Sequence, residues 1–154
     1  MTATNPTVKK LALDLTKQAP RPPQEKIKGI VQLGRAVDKC RATLIGKNGE
    51  YHYDCPVDKM LFAFNGTNGD QLKAAVAKGL TDEEIADWFI KAGTPKTAAE
   101  IKKFSAEFIA YSPYNKPQAK EWFIGACKSL GIDPKTSTQF DMLNADDKAT
   151  FAKK

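Results

Sequence analysis

The chain has 154 residues, 42% of them apolar and 27% charged, with a formal net charge of +6. That length suits one domain able to bury a hydrophobic core without disulfide or metal staples, and the composition excludes disorder over most of the chain. No run of about eighteen apolar residues is present, so no membrane-spanning helix is expected.

Residues 1–22 read as an extended arm. Pro6, Pro20, Pro22 and Pro23 disfavour helix, and residues preceding proline are pushed to extended geometry. Leu11, Leu13 and Leu15 alternate with Ala12 and Asp14, which suggests a strand-like stretch docked on the body. A helix is expected from Pro23, broken between Gly29 and Gly34. The next, over 34–45, buries Val37, Cys40 and Leu44, with Leu33 at its start, and Gly46 and Asn48-Gly49 turn the chain. Residues 50–54 are too short and polar for a helix.

Pro56 opens a helix with Val57, Met60, Leu61 and Phe64 on one face, closed by Asn65-Gly66. Residues 70–78 bury Leu72, Ala75 and Val76. Thr81-x-x-Glu84 is a capping box for a helix over 82–92 carrying Ile85, Trp88, Phe89 and Ala92. Residues 97–111 set Ile101, Phe104, Phe108 and Tyr111 at helical spacing. Residues 117–130 do so with Ala119, Trp122, Phe123, Ala126, Cys127 and Leu130, up to Gly131. A turn over Phe140 to Leu143 precedes a last helix capped by Asn144 and ending at Phe151. The expectation is an all-α single domain of about seven short helices, with an arm over 1–22 and the helical domain over 23–154.

The charge is uneven. Residues 1–47 hold ten Lys/Arg against three Asp/Glu, whereas residues 48–154 hold fourteen against fifteen. A basic third could meet an anionic small molecule, an acidic protein or nucleic acid. Only Arg21, Arg35 and Arg41 are arginines, which does not favour a nucleic-acid reader. Three widely spaced cysteines, Cys40, Cys55 and Cys127, form no disulfide framework and fit reduced thiols in a cytoplasm. The segment Met1-Thr2-Ala3-Thr4-Asn5-Pro6 lacks the apolar centre of a signal peptide.

Two clusters carry candidate chemistry. Tyr51-His52-Tyr53-Asp54-Cys55-Pro56 holds the sole histidine beside a cysteine at a helix start, where the dipole favours a thiolate. Cys55 with His52 as base is the candidate thiol pair; the alternative is a small hydrophobe at an N-cap beside a turn histidine. His52-x-x-Cys55 is one ligand pair only, so no metal is assigned, and no cofactor motif is present. In Arg35-x-x-Asp38-Lys39-x-Arg41, Asp38 can pair with either arginine at i,i+3 spacing, and Arg41 lies beside buried positions. An anion-binding arginine and a solvated ion-pair network both satisfy that pattern.

Leu13-Asp14-Leu15-Thr16, Pro20-Arg21-x-Pro23, Gly29 to Arg35, Asp38-Lys39-x-Arg41-Ala42 and Gly49-Glu50-Tyr51-His52-Tyr53-x-Cys55-Pro56-x-Asp58 resemble a bacterial domain-of-unknown-function family of this length, as does Phe140-Asp141-x-Leu143-x-Ala145-Asp146-Asp147. The position of Gly34 is often proline in that family, which implies a helix start. The resemblance brings no activity, cofactor or catalytic residue. The first reading is a cytoplasmic binding module with Arg35, Arg41, Tyr51, Tyr53 and Asp58 as ligand-binding residues. The second is a thiol-dependent enzyme using Cys55 and His52, and the third is nucleic-acid binding through the Lys-rich third.

Overall fold

A computed structural model describes residues 4–152; the first three residues of the N-terminal arm and the last two lysines lie outside the described residues. The described span holds eight α-helices: α1 Pro6–Leu11, α2 Leu33–Leu44, α3 Pro56–Asn65, α4 Gly69–Ala77, α5 Asp82–Lys91, α6 Ala98–Ala110, α7 Lys120–Leu130 and α8 Gln139–Ala152. A single 3-10 turn, Pro113–Asn115, precedes α7. No helix among the described residues is long and apolar enough to cross a membrane.

Local chemistry explains most boundaries. Reciprocal capping boxes start α4 (Asn68/Gln71), α5 (Thr81/Glu84) and α6 (Thr97/Glu100). Pro56 stands in the first turn of α3, and Gly66 ends it in the left-handed region at φ 73°.

Three segments differ from the sequence expectation. The arm contains helix α1. Asn5 caps it by accepting from the Thr7 N–H at 2.8 Å, so Pro6 occupies the first helical position, where its missing N–H costs nothing. The arm docks through Val8 and Leu15, both buried, while Leu11 stays exposed. No helix forms from Pro23. Lys28 and Gly29 both have positive φ, 49° and 83°, and fold a two-residue turn. It pairs Ile27 with Ile30 through N–H···O bonds of 3.1 and 3.0 Å and buries both in the core. Residues 139–152 are one helix, not a turn and a helix. Thr138 and Asp141 bond reciprocally to each other's backbone N–H at its start, and Asn144 lies inside it, bonded to Gln24 at 3.1 Å. Trp122 also points outward at 59% exposure, away from the core face of α7.

Helix α2 is the centre, packed against α1, α3, α4 and α5. Leu33, Val37 and Cys40 join Leu61, Leu72, Ile85 and Phe89 in the main core. Phe123, Cys127 and Met142 form a smaller cluster between α7 and α8. Residues Leu33 to Ala42 are all buried, and four of them are charged: Arg35, Asp38, Lys39 and Arg41.

Buried charges need partners, and here each finds one on a different segment. Asp38 accepts from the Arg21 backbone N–H at 2.8 Å and from its guanidinium at 3.0 Å twice. Arg21 also donates to Asp82 at 2.8 Å, and Asp82 accepts from Arg41 at 2.9 Å. The i,i+3 pairs expected within α2 do not form, because α2 is enclosed on all sides and its charged residues face separate neighbours.

Burial alone would raise the Asp82 pKa, but hydrogen bonds and charges from Arg21 and Arg41 outweigh it and hold the carboxyl below its usual 3.8. A depressed carboxyl adds stability that is complete above the unfolded-state value and disappears as pH falls through the folded one. As pH falls below about 3.8, therefore, the Asp82 contribution to the α2–α5 contact starts to decline, and it is gone once pH is below the folded value. Urea midpoints measured between about pH 6 and pH 3 should fall less steeply for Asp82→Asn than for the native chain. Parallel profiles would remove Asp82 from the acid transition.

Candidate functional site

Asp58, in the first turn of α3, is fully buried and is the anchor of the site. It accepts from Lys39 Nζ at 2.8 Å, from Gln32 Nε2 at 2.9 Å and from the Asp54 backbone N–H at 3.0 Å. Lys39 also donates to Cys55 Sγ at 3.3 Å. Cys55 is the N-cap of α3, and its side chain makes no capping bond there. A chain of contacts therefore runs Gln32–Asp58–Lys39–Cys55.

Gln32 is the N-cap of α2, and its backbone is left-handed at φ 68°, an uncommon state for a non-glycine residue. The Asp58 carboxylate can only accept, so the amide nitrogen must face it. That leaves Gln32 Oε1 buried with no hydrogen-bond partner among the described residues. An unmet buried acceptor is costly and calls for a donor from outside the chain.

On the other side, Arg35 forms a two-pronged pair with Asp147 of α8 at 2.7 and 2.9 Å. The Tyr51 hydroxyl donates to the same carboxylate at 2.8 Å. Burial, then the Asp147 carboxylate, pushes the Tyr51 phenol up, so it stays protonated and donating. The guanidinium lies 5.7 Å from the Tyr51 ring centroid, and that ring stacks on Phe151.

Between these two networks is a cavity of about 150 Å³ lined by Gln32, Arg35, Lys39, Tyr51, His52 and Cys55. Leu143 and Val57 supply apolar wall, and Glu50 and Asp146 also line it. A wider cleft of about 520 Å³ adjoins it, sharing Glu50 and Asp146. Among the described residues, no buried unpartnered side-chain atom belongs to a residue lining that cleft.

Four residues of the sequence reading, Arg35, Tyr51, His52 and Cys55, meet in this cavity. Asp58 lies behind its wall. Arg41 and Tyr53 do not reach it. Arg41 bonds Asp82 and the Leu80 carbonyl at 3.2 Å, and the Tyr53 hydroxyl donates to the Gly69 carbonyl at 2.6 Å. No hydrogen bond joins His52 to Cys55 among the described residues; the cation at the sulfur is Lys39. Gln32, Lys39 and Asp147 are not among the site residues read from the sequence, although Lys39 stands in the Arg35 to Arg41 cluster and Asp147 in the C-terminal motif. Lys39 carried one signal, a charged residue between the core-facing Val37 and Cys40. Gln32 carried none. Cys40 is in the main core and burial pushes its thiol up to about 12; burial raises Cys127 as well.

A family model described as a domain of unknown function (DUF5069) matches residues 17–149. Among curated proteins no sequence matches the chain.

Proposed function

The chain belongs to the DUF5069 family, and on that premise we propose that it is a small binding module whose ligand enters the Gln32–Arg35–Lys39–Cys55 cavity. The unpartnered Gln32 Oε1 carries this reading, since it asks for a donor that the chain does not supply. Lys39 has two acceptors for three N–H groups, so a ligand acceptor can meet the third.

The charge around the cavity sharpens the ligand class. Arg35 is matched by Asp147 and Lys39 by Asp58, while Glu50 and Asp146 add further negative charge. Among the described residues, each lysine or arginine lining the cavity is therefore already neutralised by a carboxylate. An uncharged molecule with one donor and one acceptor, a carboxamide or hydroxycarbonyl compound, fits better than the anionic ligand or acidic segment suggested by composition. At about 150 Å³ the cavity takes only a few non-hydrogen atoms, since sites for drug-sized ligands run from about 300 Å³. The same pairing supports setting nucleic acid aside, because all three arginines of the basic third are engaged internally. Three free cysteines, two of them buried, support a reducing cytoplasm.

Thermal unfolding with small carboxamides, and with acetate and inorganic phosphate in parallel, tests the reading. Near a hundredfold excess over Kd, a bound carboxamide should stabilise by about 2.7 kcal/mol. Gln32→Leu should abolish the shift. Stabilisation by acetate or phosphate alone would return the site to an anion.

A thiol-dependent enzyme is the second reading, favoured by the 3.3 Å contact between Lys39 and Cys55. Lys39, not His52, is then the group that polarises the sulfur. Iodoacetamide at about pH 6.5 should label Cys55 faster than a model thiol, and Cys40 and Cys127 hardly at all. Labelling at or below the model rate would sink it.

A further inference from the structure

We propose that Cys55 is an oxidation site whose sulfenic acid is captured by Lys39 as a reducible sulfur–nitrogen bridge. The geometry sets the pair apart from the other thiols. Cys55 is partly exposed at the cavity, while Cys40 and Cys127 are buried in separate clusters. The amine already touches the sulfur at 3.3 Å, so modest side-chain movement closes the gap. Sulfenic acids condense with a neighbouring thiol or nitrogen. Here the nucleophile in contact is a nitrogen.

The cavity suits the oxidant. Hydrogen peroxide is small, and it both donates and accepts hydrogen bonds. Gln32, whose side-chain carbonyl is buried with no partner among the described residues, lines the same cavity, and Lys39 can donate to a peroxide oxygen there. A buried glutamine carbonyl with no partner is the feature that a purely structural Lys39–Cys55 contact leaves unexplained.

The chemistry balances in two steps. The Cys55 sulfur attacks one peroxide oxygen; an S–O bond forms and the O–O bond breaks. The second oxygen leaves as water with the thiol proton, so the sulfur is oxidised by two electrons and the peroxide reduced by two. Lys39 then gives one proton to Asp58, its partner at 2.8 Å, and becomes a neutral amine. Its nitrogen attacks the sulfenic sulfur; an N–S bond forms and the S–O bond breaks. The departing hydroxide takes the second nitrogen proton and leaves as water. Overall, one thiol, one amine and one peroxide give one S–N bridge and two waters. The bridge joins α2 to the start of α3 and removes both the ammonium and the thiol from the cavity wall.

The test uses the full chain and hydrogen peroxide at about one equivalent. Remaining thiols are blocked, and the protein is digested without reductant. Mass spectrometry should find Lys39 and Cys55 in one linked species, about 2 Da below the sum of its two peptides, that dithiothreitol separates. Lys39→Arg should leave Cys55 oxidised but unbridged, as a sulfenic acid trapped by dimedone. Gln32→Leu should slow bridge formation severalfold at equal peroxide. In the native chain, Cys55 carrying added oxygen with Lys39 unmodified would overturn the proposal. So would a Cys40–Cys55 disulfide, or a link that keeps an oxygen atom. Native mapping decides the question even if a variant fails to fold. A bridge that forms in a chain binding no carboxamide would leave this inference standing and remove the ligand reading.

Discussion

Asp58→Ala is expected to lower the unfolding free energy by about 3–5 kcal/mol, the usual cost of breaking a buried ion pair from one side. The Lys39 side chain is 4% exposed and Asp58 is not exposed at all, so the pair is little solvated by bulk water. Lys39 would keep only the Cys55 sulfur, a weak acceptor. Gln32 Nε2 and the Asp54 N–H would each lose their acceptor as well. The double variant Lys39→Met/Asp58→Leu should recover most of the loss, since apolar replacement of both partners is often neutral or stabilising. Urea unfolding of the three chains measures this. A single-variant loss below about 1 kcal/mol would be the value of a solvated pair, and would contradict the enclosed geometry.

This anchor explains what the sequence does and does not disclose. Helix signals that depend on near neighbours are visible in the residues themselves. Thr81 and Glu84 name the start of α5, Pro56 and Gly66 bracket α3, and Gly131 ends α7. Signals that depend on distant segments are not. Pro6 reads as a breaker until Asn5 caps the helix ahead of it. Gln24 to Ile30 has helix-compatible residues, yet tight reversal at Lys28-Gly29 buries two isoleucines that a helix would place differently. Tertiary burial outweighs local propensity there.

The candidate site divides along the same line. Tyr51, His52 and Cys55 are close in sequence and do share a cavity. Asp38, Arg35 and Arg41 are also close in sequence, yet none pairs with another. Local spacing favours i,i+3 pairing only on an exposed helix. Once α2 is enclosed, its charges must be met from outside, by Arg21, Asp82, Asp58 and Asp147. Asp82 and Asp147 lie 41 and 112 residues from the arginines they meet, where no spacing rule reaches. The positive excess of residues 1–47 is thus partly an internal property of the fold.

Asp147→Ala is expected to cost roughly 3 kcal/mol, less than Asp58→Ala, because Asp147 keeps some exposure at 12%. Its loss leaves the Arg35 guanidinium with the Arg21 carbonyl at 3.4 Å as a remaining acceptor, and leaves the Tyr51 hydroxyl unpaired. The effect should be local before it is global. Helix α8 is held to α2 by the Arg35 fork and to the Tyr51 loop by the stacking of Tyr51 on Phe151. Hydrogen exchange should therefore rise first over the last turns of α8, with α2 and α5 still protected. Leu143 and Asp146 of the same helix line the cavity, so ligand-induced stabilisation should weaken even under conditions where the chain stays folded. Asp147→Asn keeps an acceptor for Arg35 but not the charge, and should fall between the native chain and alanine. Uniform loss of protection across α2, α5 and α8 would mean that α8 is not a separable clasp but part of a single cooperative core.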